Sequence, residues 1–208
     1  SSVSSGTLVA GDNDAFGTGS VAVSSGGALD LAGFSVANDL SLAGTGVSDA
    51  GALFNSASTA ATASGAISLT GTTSIVTAGD LTLSGGISDG SANTDAGLTL
   101  ANATGESGSV LLGAGVSTGG AQRYLANVDA TSAITLSASS LELGADLSSS
   151  GVDLTINAPL TLLDDDLNSG SGTAQTRTIS TGAGAGNLEL DAITGASNSV
   201  TLISGSGT

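Results

Sequence analysis

Three-residue units of apolar, small or polar, apolar character recur along the whole chain. They read VAV from Val21, LDL from Leu29, LSL from Leu40, ISL from Ile67, and LTL from Leu81 and Leu98. ITL from Ile134, LEL from Leu141, LTI from Leu154, LTL from Leu160, LEL from Leu188 and VTL from Val200 continue the series. Alternation of this kind is the period of a strand with one buried face, and no window sustains the 3.6-residue period of a helix. The chain must therefore fold as many very short strands.

Clusters of Gly, Ser, Asn, Asp and Ala separate the units, residues that accept positive φ or hydrogen-bond their own backbone in turns. Some spacings are short, 11 (40 − 29) or 14 (81 − 67), and others long, 20 (154 − 134) or 19 (160 − 141). A coil of roughly 20 residues carrying two or three strands gives both sets, which is solenoid behaviour. The middle residues Ser41, Ser68, Thr82, Thr99, Thr135, Thr155, Thr161 and Thr201 are hydroxyls, and Asp30, Glu142 and Glu189 are acids. Stacked coils would line the bore with aliphatic ladders and the exterior with hydroxyl ladders. The expected fold class is all-β, a parallel β-helix of roughly ten coils over residues 1–208 as one domain. An antiparallel sandwich is the rival, but sandwiches carry core aromatics and hairpin dipeptides such as Asn-Gly, and Asn-Gly is absent. Pro159 marks a corner before Leu160, and 89–97 and 113–125 are expected to protrude as loops.

Composition narrows the chemistry. Aromatics make up 2% and Trp and Met are absent, so Leu, Val, Ile and Ala have to fill the core. Eighteen acidic residues face two basic ones, Arg123 and Arg177, for a net charge of −16. Nucleic acids and anionic membrane surfaces are repelled by such a chain, and divalent cations attracted. Histidine, lysine and cysteine are absent, which excludes imidazole catalysis, Schiff bases, thiolate nucleophiles and disulfides. No run approaches the ~20 apolar residues of a membrane helix, so no membrane insertion of this segment is expected.

Gly6–Gly46 holds GTL at Gly6–Leu8, AFGTGSVAV at Ala15–Val23 and GALDLAG at Gly27–Gly33. This stretch resembles the autotransporter-associated β-strand repeat found in passenger regions of Gram-negative surface proteins. GAISLTG at Gly65–Gly71 and GDLTLSGGIS at Gly79–Ser88 resemble its later strands. From about Thr94 onward the chain is generically similar to filamentous-haemagglutinin-like adhesins. The resemblance implies a right-handed parallel β-helix, exported by type V secretion and part of a much longer protein. In that light GTGS at Gly17–Ser20 is a coil corner; a phosphate loop would need a lysine and a following helix.

Carboxylates are the remaining chemical groups of note. Asp12 and Asp14, or Asp164, Asp165 and Asp166, are paired acids of the kind a glycosidase uses, yet of the aromatic platforms that normally hold a sugar the chain offers no Trp and a single tyrosine, Tyr124. Oxygen-rich turns offer hard ligands for structural calcium at Asp12 and Asp14, at Asp89 and Asp95 with Asn93, and at Asp164 and Asp166 with Asn168. None has the EF-hand or calcium β-roll spacing, and no other cofactor is expected. Exposed hydroxyl ladders also raise ice binding, but each strand presents mostly one hydroxyl and acids interrupt the array.

The expected function is a non-enzymatic structural or adhesive segment, extracellular or at a bacterial cell surface, working as a rigid acidic rod in adhesion or biofilm matrix. Neither SSVSSGTL nor ISGSGT reads as a cap, so neighbouring solenoid segments or copies of itself are the expected partners. Surface polysaccharide or a cell receptor completes that list. Two alternatives stand beside it: a subunit of an extracellular filament stacked end to end, and a carbohydrate-active β-helix enzyme.

Overall fold

The computed structural model describes residues 1–90, 95–164, 173–194 and 198–205. It is a parallel β-solenoid in which each turn after the first contributes a short strand to each of three faces. The first face stacks Ser2–Val3, Val21–Val23, Leu40–Gly44, the start of Ile67–Thr77, Ile87–Ser88, Val116–Ser117, Ile134–Ser137, Leu154–Asn157 and Leu188–Leu190. The second stacks Gly6–Val9, Gly27–Asp30, Leu53–Asn55, the end of Ile67–Thr77, Leu98–Asn102, Gln122–Tyr124, Leu141–Leu143, Leu160–Leu162 and Ile193–Thr194. Because Ile67–Thr77 runs through the corner, these two faces join into one 17-stranded sheet. The third face holds eight strands, from Ser35–Val36 to Ser199–Ile203.

Eight complete turns follow from those eight strands, close to but fewer than the ten expected. Most turns take 19 or 20 residues (40 − 21, 87 − 67, 136 − 116). Three are longer: 27 (67 − 40), 29 (116 − 87) and 34 (188 − 154). In the first two of these the excess includes excursions at the corners, the 45–52 segment with its 3-10 turn Val47–Asp49 and the 103–109 turn.

The alternation predicts which side chains fill the bore. On the second face Leu29, Leu53, Ile75, Leu100, Tyr124, Leu143 and Leu162 stack in register, each 2% exposed or less. Leu40, Ile67, Ile87, Val116, Leu136 and Ile156 form the matching column of the first face, and Ala61, Leu81, Val110, Val128, Leu147 and Ile179 that of the third. Aliphatic side chains about 4.8 Å apart along the axis touch their own kind above and below, so a thin bore packs without aromatic bulk. Outward, the first face presents a column of serines, Ser41, Ser68, Ser88, Ser117 and Ser137.

Three expectations are corrected. Residues 113–125 are not a protruding loop: they contain Val116–Ser117 and Gln122–Tyr124 in perfect parallel register with their neighbours. The stretch hides its strand because Gln122 takes an inward slot where an aliphatic residue is the rule. There its Nε2 donates to the Ser137 carbonyl (2.9 Å) and Thr118 Oγ1 (3.2 Å), while Tyr124 donates its hydroxyl to Gln122 Oε1 (2.8 Å). Tyr124 is therefore core rather than sugar platform, and burial pushes its phenol far above the ordinary ionisation range, keeping it a donor. Asp30 is the third correction, being 6% exposed rather than solvated.

The corner folds over Asp30, whose Oδ1 accepts from Ala32 N (2.9 Å) and Ser56 N (3.1 Å) and whose Oδ2 accepts from Ser56 Oγ (2.6 Å). Asp30→Ala leaves those donors without an acceptor and is expected to cost about 1–3 kcal/mol. A lowered urea midpoint at unchanged m checks this, and an unchanged midpoint contradicts it.

Turn acids elsewhere tie one coil to the next. Asp80 Oδ1 accepts from Ser109 N (2.9 Å), Asp146 Oδ1 from Thr178 N (2.8 Å), Asp39 Oδ1 from Ala66 N (2.9 Å) and Asp153 Oδ1 from Asn187 N (2.7 Å). The backbone N–H groups that corners leave unpaired are thus satisfied by carboxylates from the turn below. In the first turn, residues 11–19 run as turns where later coils place a third-face strand. Asn13 Oδ1 accepts from Ser35 N (2.8 Å), Asn38 Nδ2 donates to the Gly17 (2.8 Å) and Gly19 (2.6 Å) carbonyls, and Phe16 packs on the core. Gly17, at φ 66°, makes the corner expected of GTGS.

Candidate functional site

The five calcium candidates among the described residues, Asp12, Asp14, Asp89, Asp95 and Asp164, are dispersed through the solenoid in different settings. Asp12 Oδ1 accepts from Asp14 N (2.8 Å) in the exposed first-turn segment, and Asp89 Oδ2 accepts from Gly119 N of the next coil (2.7 Å). Asp95 is exposed on a turn before Leu98–Asn102, and Asp164 is 2% exposed just after Leu160–Leu162. Asp166, with Asp165, Asn93 and Asn168, lies outside the described residues. Among the described residues no three acids converge as a metal-binding group. The Arg123–Glu142 pair on the second face (3.3 Å) is about a third exposed on both sides and contributes at most about 1 kcal/mol.

Two concave regions have more to offer. One, of about 440 Å³, lies on the third face among Asp80, Asp129 and Asp146. Its carboxylates already serve the scaffold: Asp80 and Asp146 cap backbone N–H groups, and Asp129 Oδ1 accepts from Ser148 Oγ (3.3 Å).

The other, of about 510 Å³, crosses three successive coils on the outer side of the second face. Its floor is the outward column Phe54, Val76 and Ala101, which are Cα partners in the strands Leu53–Asn55, Ile67–Thr77 and Leu98–Asn102. Two excursions wall it, and both come from the turns that exceed the 20-residue pitch. The chain entering the second face supplies Ser48 and Asp49, held in left-handed backbone at φ 53° and 61°. Gly51 N closes this loop on the Thr45 carbonyl (2.8 Å), and Thr45 donates its hydroxyl to Asp49 Oδ1 (2.6 Å). The chain leaving the second face supplies Thr104 and Glu106, in a turn closed by Glu106 N on the Ala103 carbonyl (3.0 Å). Asn102 follows Ala101 in register with the buried Thr77 and Asn55, on the inner side of the strand, and among the described residues its buried Oδ1 has no hydrogen-bond partner.

None of these groove residues stood out in the sequence, although a signal exists. In LFN, IVT and LAN the middle, outward residue is apolar where most other units carry a hydroxyl or a charged residue, and the three units are consecutive in register. Register is a tertiary property, so the coincidence is invisible until the coils are stacked.

Comparison of the chain with family models, with curated proteins and with solved structures gave no match. What is shown of its kinship is thus coarse: the chain is a repetitive parallel β-solenoid.

Proposed function

We propose that this chain is a non-enzymatic structural and adhesive segment of a secreted or surface-exposed bacterial protein, of the autotransporter or large-adhesin kind. The observation that carries the reading is the run of parallel ladders on three faces around one packed aliphatic bore, which makes a stiff body with a regular polar exterior. Such a body holds other regions away from a surface and offers a long wall for contacts. Its charge of −16 keeps it soluble, and the lack of cysteine suits passage through an oxidising compartment.

Bead retention tests the adhesive role. Beads coated with the purified chain are expected to stay on cell layers or polysaccharide-coated glass better than beads coated with an acidic, unstructured polypeptide, and to release no reducing sugar. Equal retention removes the adhesive role, and release of sugar replaces it with the carbohydrate-active alternative.

A second reading, a filament subunit, draws support from the parallel ladders that run along the axis on three faces, since copies stacked end to end would continue them. Light scattering that shows mass growing with concentration, with fibres in electron micrographs, supports stacking of copies; a constant monomer mass removes it.

A further inference from the structure

We propose that the segment GDNDAFGTG, residues 11–19, is a strap that closes one edge of the third-face sheet and keeps a second copy of the chain from adding a strand there. In the first turn the other two faces carry strands, Ser2–Val3 and Gly6–Val9, and the third-face ladder alone starts one turn later, at Ser35–Val36. A copy stacked on that turn would continue two ladders and be held off the third.

Ser35–Val36 pairs on one side with Ala61–Ala63, where Thr62 N donates to the Phe34 carbonyl (3.2 Å) and Ser64 N to the Val36 carbonyl (2.9 Å). Backbone groups of successive residues in a parallel strand point to opposite neighbours, so Ser35 N points away from Ala61–Ala63. An amide so placed is what an incoming strand pairs with. Here it donates to Asn13 Oδ1 at 2.8 Å. Its Cα partner one coil on, Thr62, gives its N–H to a main-chain carbonyl, so the Asn13 side chain stands where a strand carbonyl stands elsewhere.

The strap is fastened to the coil it covers. Asn38, 7% exposed, donates Nδ2 to the Gly17 and Gly19 carbonyls, Gly17 N closes the turn on the Asp14 carbonyl (2.9 Å), and Phe16 packs on the core. Asp12 and Asp14 stand exposed on either side of Asn13. A loop laid over an edge and charge placed beside it both prevent edge-to-edge pairing, and two carboxylates repel a further copy whose net charge is −16.

Sedimentation velocity of the whole chain tests the strap, with the wild-type mass as reference at the same concentration. Asn13→Ala is expected to raise the average mass, and Asn13→Ala with Phe16→Ser to raise it about twofold or more. Asn13→Asp keeps an acceptor for Ser35 N and should match the wild type. Adding Ser35→Pro to either opened variant removes the edge N–H without removing a bond to Ala61–Ala63, and should return the mass to the wild-type value. Asn13 is exposed, so its single variant covers the case of a poorly folded double variant. Wild-type mass in both opened variants, association that Ser35→Pro leaves unchanged, or Asn13→Asp associating like Asn13→Ala overturns the proposal.

Discussion

Tyr124→Phe is expected to destabilise the middle of the solenoid by about 1–3 kcal/mol, although it removes a single oxygen atom. The hydroxyl donates to Gln122 Oε1 at 2.8 Å, and Gln122 is 0% exposed. Without it that amide oxygen faces an aliphatic bore, where Leu100 and Leu143 stack on either side of Tyr124. Truncation to alanine goes further, adding the loss of a fully buried ring, for a total of about 3–5 kcal/mol. The informative variant is Tyr124→Phe combined with Gln122→Leu. Removing both partners of a buried hydrogen bond is far cheaper than orphaning one, so the double variant should recover most of the loss. Hydrogen exchange of the strand amides around Gln122–Tyr124 is the suitable readout, since a solenoid can open coil by coil and one global midpoint averages over that. A double variant less stable than Tyr124→Phe alone would show that the polar pair is a net contributor beyond mutual satisfaction.

Gly85→Val is expected to cost about 3 kcal/mol or more, at or above the upper end of overpacking penalties. The corner leaving the third face brings successive coils so close that a Cβ on Gly85 would run into the backbone carbonyl of Gly65, and one on Gly65 into that of Asn38. Backbone cannot swing aside as a long side chain can. The inter-coil spacing, set by hydrogen bonds on three faces, would have to widen locally. Gly11→Ala is the control: nothing lies within 4 Å of its Cβ position, and the change should stay within about 0.5 kcal/mol. Urea melts of the two variants decide it. Equal stability would mean that the corner glycines are there for turn conformation alone.

Much of the fold was legible in the linear text. LSL, ISL, LTL and LEL each placed two aliphatic residues inward and one hydroxyl or acid outward, and the burial of Leu40, Ile67, Leu81 and Leu141 follows that alternation. The absence of helical periodicity and the glycine-rich corners pointed to stacked coils rather than hairpins. The coil of about 20 residues was also visible, and the count was too high because three turns are longer than that. QRY was misread because a buried Gln is indistinguishable, in sequence, from a loop residue; its hydrogen-bond partners Thr118 and Ser137 make it a core residue. LDL had the right pattern, yet Asp30 is buried since Ser56 comes from the following coil. The calcium candidates were chosen as local clusters of acids, while the structure uses Asp89 for a partner 30 residues away.

By itself the amino-acid sequence determined the local facts: short strands, which side of each faces in, and where the chain turns. These depend on neighbours one or two residues apart, and alternation and turn chemistry report them directly. Only the tertiary structure decided which strand lies above which, and with it the groove over Phe54, the Tyr124–Gln122 pair and the carboxylates that cap the next coil. The groove and the capping carboxylates join residues about 20 to 34 positions apart through register, the Tyr124–Gln122 pair is buried because coils stacked in register enclose it, and register is set by the length of every intervening corner, a sum over the chain that no short stretch reveals.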